Sequence, residues 1–479
     1  MPLSAEFAAG RATGRWRLPF LELVLANIRG EAAAVAILVP LLLVPVFWNG
    51  FPIIYYDTGA YILEGLGLHF LPERSPVYSL FLRFGGAGIT LWSIVFIQAV
   101  LVAFLVVETA RALAPRLPVA MFALVGAFLV IATGLPWYVG QIEPDCFTAL
   151  VVLALYLLAF QSGKLGWWRR MLVIVAGGFA VGVHPSHLVL AAFLWLAIVA
   201  ARALRRITRA GLNMPRPRLV GPALVGLFGL VLVLSSNYAF TRQLFVSRAG
   251  ASFVFARMLQ DGLVMKLLEA SCPKSGYTLC AYRDSLPATA DGWLWTPHSP
   301  FFRLGHFDGT AKESARIVRD AILRYPLLQL RAGAIDSAEQ FFRFGTGDQI
   351  EPQEWVLSPI FRRLLPSQFT AYLSARQQQG EMRFRLLSLW HVLVASFSLA
   401  GVAILLVWFL RAGQFEAAAF GGFVLAALIG NAVICGVLSG PHDRYQSRLV
   451  WLAPFVLLVG NPRVRMACGA KPNPARSGA

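Results

Sequence analysis

Nine stretches of this chain contain no Asp, Glu, Lys or Arg, and they dominate what it can fold into. They run at 32–56, 84–107, 117–142, 146–163, 171–201, 219–241, 386–410, 417–442 and 449–462. A helix that spans a bilayer needs about 20 largely apolar residues. Most of these stretches meet that length. The run at 171–201 is interrupted by "HPSH" at His184–His187, where Pro185 has no backbone donor. It reads as two short helices meeting at a turn, which raises the expectation to about ten spans. Composition agrees: 57% of the 479 residues are hydrophobic and 14% are charged, against about 25% charged in soluble domains. The fold class expected is an all-α integral membrane protein.

The net charge is +18. The basic residues form short clusters between apolar runs, which is a topology signal and argues against nucleic-acid binding. They are Arg11/Arg15/Arg17/Arg29, Arg111/Arg116, Lys164/Arg169/Arg170, the run 202–218, Arg411, and Arg463/Arg465/Lys471/Arg476. With ten spans, all of these fall on one side, the cytoplasmic one. A single helix at 171–201 would put the densest cluster outside. The first run then acts as an uncleaved anchor, since it lacks a small-residue cleavage site.

The opposite side receives Asn49–Phe84, Pro136–Asp145, "HPSH", a polar region at 242–385, and Ser439–Arg448. Asp57, Glu64, Glu73, Glu143, Asp145 and Asp443 all lie there. Carboxylates contribute little to insertion, so topology does not require this bias. It points to a site on the outer face. The domains expected are a cytoplasmic amphipathic amino terminus (1–31), a transmembrane core (32–241) with outer loops at 49–84, 136–145 and 184–187, a periplasmic, mostly helical insertion (242–385), carboxy-terminal spans (386–462) and a basic cytoplasmic tail (463–479).

Within the insertion, Gly309–Phe342 reads as amphipathic helix broken at Pro326. Cys272 and Cys280 lie close together, a local disulfide if this region is extracytoplasmic. Cys146, Cys435 and Cys468 read as small buried hydrophobes. No internal repeat and no phosphate loop is evident, and "GTGD" at Gly345–Asp348 is too short to count.

Each outer-face residue has a bland reading and a chemical one. Asp57, after Tyr55 and Tyr56, is a helix-capping acid in an aromatic belt, or a general base or metal ligand flanked by rings that hold a sugar or head group. Glu73 and Arg74 precede a Pro-led helix; they form an exposed ion pair, or Arg74 holds a phosphate. Glu143 and Asp145 suit a helix start, or join Asp57 around a divalent cation such as Mg2+ or Mn2+, or an acceptor hydroxyl. His184 and His187 line a cavity or bind metal, and His442, Arg444 and Arg448 anchor at the interface or bind anionic head groups. Together the set suits displacement at a carbon whose leaving group is a lipid phosphate.

In this arrangement the chain resembles the GT-C superfamily of polyprenyl-phosphate-dependent glycosyltransferases, in the branch with aminoarabinose transferases, protein mannosyltransferases and rhizobial core glycosyltransferases. The resemblance rests on Asp57 with "ERSPVY", on "IEPD" at Ile142–Asp145, on "GGFAVGVHPSHLVL", and loosely on "DRYQSRLVWLAP". It implies inverting transfer of a sugar from a polyprenyl-phosphate donor to an envelope glycolipid, polysaccharide or protein. The site would face the periplasm from a bacterial inner membrane. Asp57 would be the base, Arg74, Arg444 and Arg448 the phosphate clamp, and Tyr55, Tyr56, Glu73, His184, His187 and His442 the cavity lining. The alternatives are a transporter or flippase of an anionic or lipid-linked substrate, a membrane acyltransferase, and a non-catalytic assembly partner.

Overall fold

The computed structural model describes residues 18–207 and 216–460. The first 17 residues, the middle of the basic run after residue 207, and the basic tail with Cys468 lie outside the described residues. Among the described residues every regular element is helical.

The chain begins with α1 (Leu18–Leu42), which breaks at Leu43 before α2 (Val44–Asn49). The first polar stretch folds as two short helices, α3 (Thr58–Gly65) and α4 (Pro76–Phe84). A turn through Gly85–Gly88, with Gly86 at a positive φ, separates α4 from α5 (Trp92–Leu113). The apolar run at 84–107 is therefore not one helix. Next come α6 (Val119–Ala132) and α7 (Leu135–Val139), parted where Pro136 interrupts the helical run. A 3₁₀ turn at Pro144–Cys146 leads into α8 (Phe147–Tyr156), which ends in a π-helical turn through Gln161.

The 171–201 run does divide at Val183–His184, into α9 (Trp167–Gly182) and α10 (Pro185–Ile207). Only α9 is short. The helix of α10 runs on through Arg205 and Arg206, because arginine is a good helix former. α11 (Val220–Thr241) follows. α9 and α11 pack closely where Gly178 faces Phe228 and Gly229 faces Val181; a Cβ at either glycine would sit 2.3–2.4 Å from those side chains.

The residues between α11 and the next long apolar helix divide between two hydrophobic cores. α12 (Gly250–Gln260), α13 (Leu263–Ser271), α14 (Ala290–Trp295), α15 (Pro300–Arg303), α16 (His306–Arg324) and the start of α17 (Pro326–Phe342) enclose a core of their own around Phe255, Trp293 and Phe301. Cys272 and Cys280 are disulfide-bonded at its edge. By contrast, α18 (Glu354–Leu364) and α19 (Phe369–Ser374) belong to the main core through Leu357, Phe361 and Tyr372. Their aromatic side chains meet Phe51 after α2, which a hydropathy scan does not register. The chain closes with α20 (Arg385–Arg411), α21 (Phe415–Leu438), α22 (Asp443–Val450) and α23 (Leu452–Gly460).

Among the described residues seven helical segments are long and apolar enough to cross a membrane, fewer than the ten expected: Gly30–Asn49, Trp92–Leu113, Pro144–Gln161, Pro185–Arg206, Val220–Thr241, Arg385–Arg411 and Ala418–Leu438. α6 is a shorter apolar helix, α9 has 16 residues, and the last apolar run is split at Trp451. The architecture is that of an all-α, multi-pass membrane protein.

One cluster of polar contacts ties α1, α5 and α9 together. Glu31 of α1 accepts from Arg169 Nη1 of α9 at 2.8 Å and lies 3.8 Å from Arg111 of α5. Arg169 is also 3.6 Å from Glu108, and Lys164 donates to the Ala112 carbonyl at 2.8 Å.

Candidate functional site

Two loops, 50–57 and 140–143, are clipped together by backbone. Ile53 N–H donates to the Gly140 carbonyl at 2.9 Å and Ile142 N–H to the Ile53 carbonyl at 3.0 Å, an isolated parallel bridge. Gln98 of α5 holds the second loop from below, donating to the Val139 and Gln141 carbonyls at 2.9 and 2.8 Å. Gln377 holds the first from above, accepting from Ile54 N–H at 2.9 Å. Thr58 then donates to the Ile142 carbonyl at 3.0 Å. These bonds satisfy buried backbone groups that an irregular loop would otherwise strand. They also fix Asp57 beside Glu143 and Asp145.

Arg74 reaches the same place because α3 and α4 cross at contact distance. A Cβ on Gly65 would lie 2.1 Å from the Ser79 carbonyl oxygen, so only glycine permits the approach. Glu64 bridges the pair, accepting from Ser79 Oγ at 2.6 Å and from Leu71 N–H at 3.1 Å. Burial pushes the Glu64 carboxyl up to about 7, despite both hydrogen bonds. Arg74 turns to Asp57 in an ion pair, not to its neighbour Glu73.

The last two arginines stand four residues apart on α22 and so share one helix face. Arg448 Nη1 donates to Asp145 Oδ1 at 2.5 Å. Arg444 bridges the acids: its Nη2 is 3.6 Å from Asp57 Oδ2 and its Nε 3.6 Å from Asp145 Oδ2. Its guanidinium lies over the Tyr55 ring, 4.2 Å from the centroid. Asp57, Arg74, Asp145, Arg444 and Arg448 thus form one continuous network drawn from three separate loops.

Exposure divides this network. The side chains of Asp57, Arg74 and Arg444 keep 12%, 11% and 9% of their surface, whereas Asp145 and Arg448 keep 1% and 0%. Only the first three are within reach of a substrate. Arg448, expected in the clamp, is instead the sealed counterion of Asp145. Glu143 is buried too; its Oε1 is 3.4 Å from Thr58 Oγ1 and its Oε2 has no partner. Burial first, and the charge of Asp57 second, hold the Glu143 carboxyl well above the usual range. Arg74, Arg444 and Arg448 thus gather around Asp57 and Asp145. The Nε donors of Arg74, Arg444 and Arg448 are buried without a hydrogen-bond partner, although Arg444 Nε faces Asp145 Oδ2 at 3.6 Å.

The remaining candidates lie around it. Tyr55 is buried and its hydroxyl donates to Gln349, while Tyr56 is exposed and meets the Trp295 ring edge-on. His184 is half-buried at the start of α10, with Nδ1 2.7 Å from Ser186 Oγ. Burial, then His187 and the arginine charges, hold it neutral. His187 does not line a cavity. Its Nδ1 donates to the Ala180 carbonyl at 2.7 Å, and its Nε2 accepts from Thr148 at 2.7 Å. His442 is 3.8 Å from Asp348.

Asp348 was passed over with "GTGD". It accepts from Arg444 N–H at 3.3 Å, while Asp443 accepts from Gly345 N–H at 2.9 Å. Thr346 and Gln349 of the same loop touch His391 and Tyr55. The glycines at 345 and 347 were the available signal; their partner, α22, is about 100 residues away in the chain.

A divalent cation does not fit this donor set. Asp57 and Asp145 already carry guanidinium partners. Hard cations need several ionised or carbonyl oxygens on one centre, and no group of three His, Cys, Asp or Glu among the described residues is so arranged.

Comparison of the chain with protein-family models, with characterised proteins and with solved structures gives no match.

Proposed function

We propose that this protein transfers a sugar from a polyprenyl-phosphate donor to an envelope glycolipid, polysaccharide or protein acceptor, with inversion. The observation that carries the reading is a pair of guanidinium groups held on the two oxygens of a partly exposed carboxylate: Arg74 on Asp57 Oδ1 and Arg444 3.6 Å from Asp57 Oδ2. An anionic phosphate takes the guanidinium donors and releases Asp57 from its ion pair. Asp57 then removes the proton of an acceptor hydroxyl. The hydroxyl oxygen bonds to the anomeric carbon as the carbon–oxygen bond to phosphate breaks, and the phosphate departs with that electron pair. Arg74 and Arg444 offset the charge that develops. One direct displacement inverts the configuration. Because the donor set favours guanidinium over metal, the step uses no divalent cation.

In this reading the site faces the periplasm from a bacterial inner membrane, and the disulfide-bonded unit lies on the same side. Ten crossings are completed by α6, α9 and the α22–α23 pair. Supporting this, Arg111 and Arg169, which the charge rule assigns to the cytoplasmic side, gather around one acid, Glu31.

Native mass spectrometry of the purified protein with a polyprenyl phosphate tests the donor half. Wild type retains the lipid through detergent removal, and Arg74→Gln and Arg444→Gln lose it. Equal retention by all three would exclude the clamp. A flippase would move a labelled lipid-linked sugar across vesicles without forming a new glycosidic bond, so covalent transfer separates that alternative.

A further inference from the structure

α17 has one face buried against the bundle and an apolar face that the bundle leaves uncovered. Gly333, Asp336 and Gln340 are buried. Gly333 faces Val437, and a Cβ on Gly436 would lie 2.7 Å from the Asp336 carbonyl oxygen, so the helix lies tight against the end of α21. α21 carries one of the apolar segments long enough to cross a membrane. The opposite face of α17 presents Leu327 (78% exposed), Leu330 (69%), Ile335 (55%) and Phe342 (72%), with exposed Ala334 and Ala338 between them. At 100° per residue these positions form one continuous stripe. Leu323, at 73%, extends it around the turn from α16. A water-facing stripe of this size is not expected on a soluble unit.

We propose that this face of α17 lies in the lipid of the outer leaflet and anchors the disulfide-bonded unit to the membrane. The occupant is fixed by continuity, since the helix is seated on a membrane-crossing helix whose own Ile429 and Val433 are 51% and 43% exposed. Charge agrees with it. Arg331 is exposed within the stripe, one turn after Leu327, Arg324 stands at its start and Arg343 at its end. Long cationic side chains at such positions reach up to head groups while their stems remain in lipid. Anionic phospholipid is the matching chemistry. The anchor would hold Trp295 of the unit against Tyr56, next to Asp57, at constant depth. It does not depend on which reaction the site performs.

The test places the photoreactive residue p-benzoylphenylalanine at position 327, 330 or 335 of the full chain, reconstituted in vesicles of phosphatidylethanolamine and phosphatidylglycerol. After illumination, mass spectrometry should show phospholipid adducts at all three. A matching label at 429 on α21 is the positive control. A label at 316, on the exposed outer side of α16, should give none, since Arg316 is 51% exposed and pairs with Asp320. A phospholipid adduct at 429 but none at 330 would overturn the proposal. So would a protein–protein adduct at 330, because a second copy or another subunit would then occupy the face.

Discussion

Arg448 Nη1 donates to Asp145 Oδ1 at 2.5 Å, and neither side chain reaches solvent. A buried pair like this adds little net stability, but breaking it strands a charge, at about 3–5 kcal/mol. Arg448→Met should therefore lower the thermal midpoint in detergent sharply, because Arg444 is 3.6 Å from Asp145 and only partly compensates. Combining it with Asp145→Leu should recover much of the loss. A single variant as stable as wild type would show that Asp145 is neutral or reoriented.

Glu64 gives a pH signature. Its carboxyl sits at about 7 in the fold against 4.5 when free. The folded state thus holds a proton that the unfolded chain releases. Stability is fully present below about 4.5 and declines as pH rises through about 7. Melting of wild type should be poorer at pH 8 than at pH 5, and Glu64→Gln should flatten that difference. An unchanged slope in Glu64→Gln would place the titration elsewhere.

The crossing of α3 and α4 depends on the missing side chain at position 65. Gly65→Ala puts a methyl 2.1 Å from the Ser79 carbonyl oxygen, against backbone that cannot rotate away. A cost of about 1–3 kcal/mol is expected, as for other overpacked sites. Turnover should fall as well, since Arg74 moves with α4. Full stability with full turnover would mean that the helices tolerate a wider crossing.

Arg444→Lys separates charge from geometry. Lysine keeps the positive charge but loses the planar fork that reaches towards both aspartates. Retention of a polyprenyl phosphate should weaken tenfold or more, about 1.4 kcal/mol, with folding preserved. Unaltered retention would mean that charge alone is recognised.

The sequence made the membrane class and the polar residues of the site legible for a simple reason. Charge is so costly in lipid that Asp57, Glu143, Asp145, Arg444 and Arg448 stand out against apolar neighbours. The break at His184 and the elbow at Pro326 were equally legible, because proline cannot supply a backbone donor. Helix extents were less so. The run at 84–107 carries no charge, yet the turn at Gly85–Gly88 depends on backbone conformation rather than hydropathy. Pairing was hidden altogether. Nothing local shows that Arg74 faces Asp57 rather than Glu73, or that Arg448 is sealed behind Asp145 while Arg444 is not. The contributions of Gln98, Gln377 and Asp348 come from long-range backbone contacts, and uncharged or isolated polar residues carry no periodic signal.

The central claim is that Asp57 is the base of a glycosyl transfer. The most direct test is mass spectrometry of envelope glycolipids and glycoproteins from cells that lack the protein and from the same cells supplied with wild type or Asp57→Asn at matched abundance. The prediction is that one sugar is missing without the protein, returns with wild type, and stays missing with Asp57→Asn. Restoration of that sugar by Asp57→Asn would contradict it.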